Sequence, residues 1–303
     1  YRHIYIYSDK GTLLRQVTTG KYDDTNFYGV DHLGNIYYQA ADESPIRRSI
    51  YRIDPKGRKT ALHSAAGENR VIFSKDFAHY ISFHSNVDTP TVTAVYATGN
   101  PRPLRVLQEN KELQERLKKY DLPRKEFIKI PNGRGDELNA WIMRPTNFDP
   151  AKKYPVLMVQ YSGPDSQEVL DRYDIDWEHI LPQKDILVVC VDPRGTGARG
   201  EQWRKCTYLS LGVKEVEDQV AAAQWLGKQP YIDGSRIGIF GWSYGGYMTL
   251  RSLCTGNGVF KVGVAVAPVA DWSFYDTIYT ERFMRTPQEN PEGYKASSAL
   301  AVA

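Results

Sequence analysis

Ser243 lies in the segment Gly241-Trp242-Ser243-Tyr244-Gly245, with Gly246 directly after it. Glycines two positions to either side of a serine let a chain turn sharply and let neighbouring elements approach closely. Residues 236–240 (Arg-Ile-Gly-Ile-Phe) read as an apolar strand, and 244–254 reads as a helix. A serine on such a strand-to-helix turn presents its hydroxyl for attack on an acyl carbon. A buried serine in a tight glycine-rich turn is the competing reading, but it does not explain why small positions cluster around one hydroxyl. A serine hydroxyl is a weak nucleophile until a neighbouring base takes its proton. In chains of this kind an acid and then a histidine follow the serine. All six histidines here (His3, His32, His63, His79, His84 and His179) precede it. The expectation is a nucleophile without its general base, in a chain that cannot catalyse acyl transfer alone.

The oxyanion of acyl transfer needs hydrogen-bond donors. One is expected from the backbone N–H of Tyr244, the other from the loop after the third strand. That loop opens Tyr161-Ser162-Gly163-Pro164, directly after Gln160. Tyr161 either offers its hydroxyl to the oxyanion or closes a strand end as an aromatic plug, and the spacing leaves both open. A third constellation, Trp272-Ser273-Phe274-Tyr275-Asp276-Thr277-Ile278-Tyr279, follows the strand predicted at 262–267. Read as a helix, it sets Tyr275 and Tyr279 on one face at i, i+4. An aromatic core stripe has the same pattern. A segment leaving the C-terminal edge of a parallel sheet borders the binding crevice, however, so these rings are read as walls for a flat apolar side chain. Asp192-Pro193-Arg194-Gly195-Thr196-Gly197 also follows a strand. It lacks the ending of a phosphate loop and the spacing of a dinucleotide fingerprint, and reads as a structural turn. Arg134-Gly135-Asp136 reads as a glycine-rich turn rather than an adhesion motif.

The elements that must position these residues begin with short, tyrosine-rich strands over residues 1–106, separated by turn signals such as Asp9-Lys10-Gly11 and Pro55-Lys56-Gly57. A strand–turn–strand unit recurs at His3, Ser49 and Thr91, a period of a little over forty residues that suits four-stranded propeller blades. A β-sandwich is the alternative. Residues 107–125 change character: Leu113, Leu117 and Tyr120 fall at helical spacing among charges, and Pro123 ends the run, which predicts a linker helix. From residue 126 the pattern is strand, helix, strand, with near-continuous apolar runs at 154–160 and 186–191 and a helix at 213–228. This is the signature of a doubly wound sheet covered on both faces.

Composition narrows the function class. The 303 residues are 41% apolar and carry a formal charge of +3 with no Lys/Arg block, so no nucleic-acid partner is expected. No apolar run exceeds strand length, so no membrane span is expected in this chain. Cys190, Cys206 and Cys254 lack metal-ligand or disulfide spacing and read as free thiols. No metal or organic cofactor is implied.

Taken together, the motifs resemble the prolyl oligopeptidase family of serine peptidases, and within it the dipeptidyl peptidase IV branch. The resemblance rests on Tyr161-Ser162-Gly163-Pro164-Asp165-Ser166-Gln167, on Asp192-x-Arg194-Gly195-x-Gly197, and on Gly241 through Tyr247. It rests also on Ala267-Pro268-Val269 and on Tyr275 through Met284. Pro287 through Tyr294 is similar to members from the Bacteroides group. The resemblance implies the last blades of an N-terminal β-propeller over 1–106 and an incomplete α/β-hydrolase domain over 126–303, with catalysis in the cavity between them. It implies Ser243 as nucleophile, Tyr161 and the Tyr244 amide as oxyanion hole, and a proline pocket of Tyr244, Val269, Trp272, Tyr275 and Tyr279. The implied substrates are peptides with a free amino terminus. An exported enzyme, able to form the homodimer of the family, is the further expectation from the resemblance.

Departures qualify that picture. The family's triad aspartate and histidine are expected beyond Ala303, and the glutamates that grip the substrate amino terminus before Tyr1. Release of X-Pro or X-Ala dipeptides is therefore the leading expectation, with a prolyl tripeptidyl peptidase as the nearest alternative. An esterase sharing the serine turn, or a non-catalytic binding protein of the same architecture, stands further off.

Overall fold

The computed structural model describes all 303 residues, Tyr1–Ala303. They divide into two compact units. The first comprises Tyr1–Asp121 with Leu170–Asp174 and Ala198–Glu201, and the second comprises Leu122–Val169, Ile175–Gly197 and Gln202–Ala303.

The first unit is built of antiparallel meanders. A hairpin of β1 (Tyr5–Tyr7) and β2 (Leu13–Gln16) precedes two four-stranded sheets. One sheet runs in chain order through β3 (Asp24–Val30), β4 (Ile36–Ala40), β5 (Ser49–Ile53) and β6 (Lys59–His63). The other runs through β7 (Glu68–Phe73), β8 (His79–Asn86), β9 (Thr89–Ala97) and β10 (Arg105–Gln108). These are propeller blades. The second begins 44 residues after the first, the period the sequence suggests.

The phase of the repeat differs from expectation. Ser49 opens the third strand of one blade and Thr91 lies in the third strand of the next. The opening strands β3 and β7 carry little apolar alternation, and β10 is exposed throughout. Pairing with a neighbour, not their own side chains, makes them strands. Tyrosines fill the cores because a ring can pack while its hydroxyl reaches a partner. Tyr37 stacks on Phe77 at 4.6 Å and donates to Asp31 at 2.9 Å, and Tyr51 donates to Asp42 at 2.9 Å. Within 107–125 the helix is shorter than expected: α1 covers Lys111–Leu117 with no buried residue, while Leu107 and Gln108 belong to β10.

The second unit holds a six-stranded sheet. Its strands are β11 (Lys125–Pro131), β12 (Glu137–Met143), β13 (Tyr154–Val159), β14 (Leu187–Asp192), β15 (Ile232–Trp242) and β16 (Val262–Val266), in the spatial order β11-β12-β14-β13-β15-β16. The last four run parallel, and β12 and β11 extend the sheet antiparallel. Helices α2 (Glu201–Lys205), α3 (Lys214–Leu226), α4 (Tyr244–Thr255), α5 (Thr277–Met284) and α6 (Pro291–Ser297) complete the unit. Its core joins Ile142, Met158, Val189 and Ile239 of the sheet to Ala222, Ala223 and Leu226 of α3.

The turn after β14 is structural. The Asp192 carboxylate accepts the Glu168 and Val169 N–H groups at 3.0 Å each, and Arg194 bonds the fully buried Asp218 of α3 through Nε at 2.9 Å. Arg134-Gly135-Asp136 forms the β11–β12 turn, with Gly133 and Gly135 in left-handed backbone (φ 71° and 96°). All three cysteines are free. No helix is long and apolar enough to cross a membrane.

Candidate active site

β15 delivers Ser243 directly to the first turn of α4. Its backbone sits at φ 58°, ψ −115°, a conformation that costs a non-glycine residue about 1–3 kcal/mol and persists only where the surroundings impose it. Two ladders impose it here. The Ser243 N–H donates to the Val266 carbonyl of β16 at 2.9 Å, and the Ser243 carbonyl accepts the Tyr247 N–H at 3.0 Å. The flanking glycines act by size. A Cβ on Gly241 would strike the Gly245 carbonyl, one on Gly245 would strike the Gln160 carbonyl, and one on Gly246 would lie 2.6 Å from the Val266 oxygen. Strand, turn and helix thus touch backbone to backbone, and the left-handed residue is the serine itself.

Tyr161 follows β13 and lies beside this turn, its ring centroid 6.1 Å from that of Tyr244. Burial raises the Tyr161 hydroxyl pKa, with smaller contributions from Tyr275 and Glu168. The phenol therefore stays protonated and able to donate. Its ring covers Gly163, where an added Cβ would lie 2.5 Å from Tyr161 Cε1. A buried polar network fixes the loop. Gln160 Nε2 donates to the Gly245 carbonyl at 2.8 Å, Ser162 Oγ donates to Gln160 Oε1 at 2.8 Å, and Gln219 Nε2 of α3 donates to Ser162 Oγ at 3.1 Å. These bonds tie the loop that carries Tyr161 to the helix that carries Ser243. Two of them join residues far apart in sequence, and only the polar Glu215 and Gln219, in phase with Ala222 and Leu226 on the buried face of α3, hint at them.

The aromatic segment forms one packed cluster with Tyr244. Trp272 stacks on Tyr279 at 5.7 Å, meets Tyr275 edge-on at 5.7 Å and lies 5.5 Å from Tyr244. Val269, Tyr161 and Tyr279 pack on the same buried group, which includes Tyr244 and Trp272. Two aspartates set the geometry: Asp271 caps the turn holding Trp272, and Asp276 accepts the Tyr279 N–H at 2.8 Å to start α5. Tyr275 lies before that cap, in extended backbone, so Tyr275 and Tyr279 are not the i, i+4 pair of one helix that the sequence suggests. Their rings still meet edge-to-face at 5.6 Å. Tyr275 remains 44% exposed beside the nearly buried Trp272, which leaves an open aromatic wall.

His179 is the histidine of the second unit, and its Nδ1 is engaged 3.2 Å from the Asp176 N–H at the start of a short 3-10 turn.

Comparison with known proteins sets this geometry in context. A model of the dipeptidyl peptidase IV N-terminal region matches residues 1–91, and a model of the prolyl oligopeptidase family matches residues 173–303. Dipeptidyl peptidase 4 of Porphyromonas gingivalis superposes on 99% of the chain with a TM-score of 0.97 and 59% identity. The chain belongs to the prolyl oligopeptidase family, in its dipeptidyl peptidase IV branch. Further members of this family include the human prolyl endopeptidase FAP, 36% identical over the whole chain. A Bacteroides ovatus structure assigned as a dipeptidyl aminopeptidase IV is 29% identical over 99% of the chain, with a TM-score of 0.85. The chain spans 43% of the Porphyromonas protein, 44% of the Bacteroides one and 41% of the human one. The propeller and α/β-hydrolase architecture of the branch agrees with the blades of the first unit and the sheet of the second.

Proposed function

We propose that the full-length protein carrying this sequence is a serine exopeptidase that removes X-Pro and, more slowly, X-Ala dipeptides from free amino termini. Ser243 Oγ attacks the carbonyl carbon of the penultimate residue. The proton that Oγ gives up passes through the general base to the leaving amine as the C–N bond breaks, and water then hydrolyses the acyl-enzyme, returning the proton to Oγ and releasing the dipeptide. The Tyr244 N–H and the Tyr161 hydroxyl donate to the oxyanion. Tyr244, Val269, Trp272, Tyr275 and Tyr279 take up the proline ring, which is compact, apolar and brings no N–H to be left unsatisfied. The observation that carries this reading is the continuity of Tyr244 with both halves: its amide follows the strained Ser243, and its ring packs with Trp272 and Tyr161. The names of the relatives support the peptidase class. Export to the periplasm or beyond, and assembly as a homodimer, are carried over from the family resemblance alone.

The test is hydrolysis of Gly-Pro- and Gly-Ala-p-nitroanilide by the full-length protein, with the N-acylated Gly-Pro substrate alongside. Cleavage of the free but not the blocked substrate, lost in Ser243→Ala, is expected. Equal cleavage of the blocked substrate would replace dipeptide release with an endopeptidase activity, the one that the name of the human relative carries.

A further inference from the structure

Away from the serine turn, α3, α4 and the β11–β12 turn border an open cavity of about 490 Å³. Small-molecule sites span roughly 300–1,000 Å³. None of the residues lining this cavity belongs to the aromatic pocket or the oxyanion hole. Val213, Val216 and Val220 line it at the spacing of one face of α3, and Arg251 of α4 lines it with them. Arg251 lies a little over two turns along α4 from Ser243, roughly 12 Å down the helix axis.

Arg251 is the residue that packing does not explain. It is 5% exposed. Charged side chains are almost never buried to that extent unless an opposite charge pairs with them. Arg251 has no carboxylate at ion-pair distance. Its Nη1 donates to the Ser298 carbonyl at 2.8 Å, and its Nε is buried with no hydrogen-bond partner. A neutral carbonyl replaces part of the lost hydration of a guanidinium and none of its countercharge.

The other charges around the cavity leave that deficit in place. Arg134, on the β11–β12 turn, stands at the rim with its side chain 55% exposed, 3.4 Å from Glu217. Glu217 is the one carboxylate in the lining, and Arg194 holds it as well, at 3.0 Å. It is shared between these two guanidinium groups and forms no pair with Arg251. An anion entering past Arg134 therefore meets valines along α3 and an uncompensated cation at depth.

We propose that this cavity is a binding site for a small aliphatic carboxylate, its charged end paired with Arg251 and its hydrocarbon body laid on the valines of α3. A guanidinium takes a carboxylate through two parallel N–H bonds. With Nη1 committed to Ser298, the edge formed by Nε and Nη2 is left for the ligand. A dianion such as phosphate would set its second charge against the valines and Glu217, so a monocarboxylate is the class that fits. The site goes beyond the peptidase reading and does not depend on it.

The probe is hexanoate, titrated into the full-length protein by calorimetry, with acetate, hexan-1-ol and inorganic phosphate alongside. Hexanoate should bind at one site per chain. Acetate lacks the body and hexan-1-ol lacks the charge, and each should bind at least about tenfold more weakly. Arg251→Gln should weaken hexanoate by about tenfold or more, the usual loss with a charge-assisted hydrogen bond. Arg134→Gln, at the exposed rim, should weaken it by about threefold, and this variant carries the test should Arg251→Gln fail to accumulate. No saturable binding, equal binding of hexan-1-ol, or tighter binding of phosphate would overturn the proposal. So would hexanoate binding that both arginine variants leave unchanged, which would place the ligand in a different pocket.

Discussion

Replacing Gly163 by alanine adds one methyl group under the ring of Tyr161, and the structure fixes what that methyl meets. The new Cβ would lie 2.5 Å from Tyr161 Cε1, 3.1 Å from Cδ1 and 3.3 Å from Cζ. Carbon atoms pack comfortably at about 3.5–4.0 Å, so the near edge of the ring must retreat by about 1 Å. The Gly163 backbone is not left-handed, and alanine there carries no torsional penalty. Tyr161 is half-buried, so the ring can swing and the stability cost should stay near the low end of the roughly 1–3 kcal/mol typical of overpacking. Displacing a catalytic donor by about 1 Å costs on the order of 10²-fold in rate, close to the roughly 10²–10³-fold loss on deleting one oxyanion donor. The expected result for Gly163→Ala in the full-length protein is a fall of about 10²-fold in kcat, or about 2.7 kcal/mol, with KM little changed. Stopped assays on Gly-Pro-p-nitroanilide read this directly, with Tyr161→Phe as the reference. The double variant is the sharper readout: if Gly163→Ala acts by moving the hydroxyl, it should cost almost nothing further once that hydroxyl is gone. Near-wild-type kcat in Gly163→Ala, or fully additive losses in the double variant, would refute the reasoning and return Tyr161 to a packing role.

Tyr279→Ala should erode the preference for Gly-Pro over Gly-Ala as well as the rate, because the ring stacked on Trp272 loses contacts with the pyrrolidine worth roughly 1–3 kcal/mol; an unchanged kcat/KM ratio would remove it from the pocket. Glu215→Gln should leave a signature in stability, because the Glu215 carboxyl group has no exposed surface and burial raises its pKa. A carboxyl group raised from 4.5 to about 7 on folding stabilises the fold below about pH 4.5, and that contribution is lost as pH rises to about 7. The stability of the variant relative to wild type should therefore improve by about 3 kcal/mol across that window and then level off, as melting temperatures at closely spaced pH values would show; a difference independent of pH contradicts the burial argument.

What the sequence made legible was local. The turn at Ser243 could be read because strand, glycines and helix are consecutive, and backbone contacts among those residues make the site. The blade period was legible from turn signals, but its phase was not, since β3 and β10 owe their strand form to neighbours rather than to their own pattern. Tyr275 was drawn into a helix by its spacing from Tyr279. Asp276 between them accepts the Tyr279 N–H and starts the helix at Thr277, two residues too late for that. Least visible were Gln160, Ser162, Gln219 and Glu215. Each is an ordinary polar residue until folding brings together partners 29 to 85 positions apart, and no local pattern encodes such a bond.

The central claim is that Ser243 is the nucleophile of a proline-directed, dipeptide-releasing peptidase. The most direct measurement is covalent modification of the full-length protein by a Gly-Pro aryl phosphonate, followed by peptide mapping. The phosphonate needs both an activated serine and a pocket for proline, and its free amino group tests the terminus requirement. The account predicts one equivalent of label on Ser243, formed far faster than with the N-acylated reagent and abolished in Ser243→Ala. Label on a different serine, or none in a protein that still cleaves Gly-Pro substrates, would contradict it.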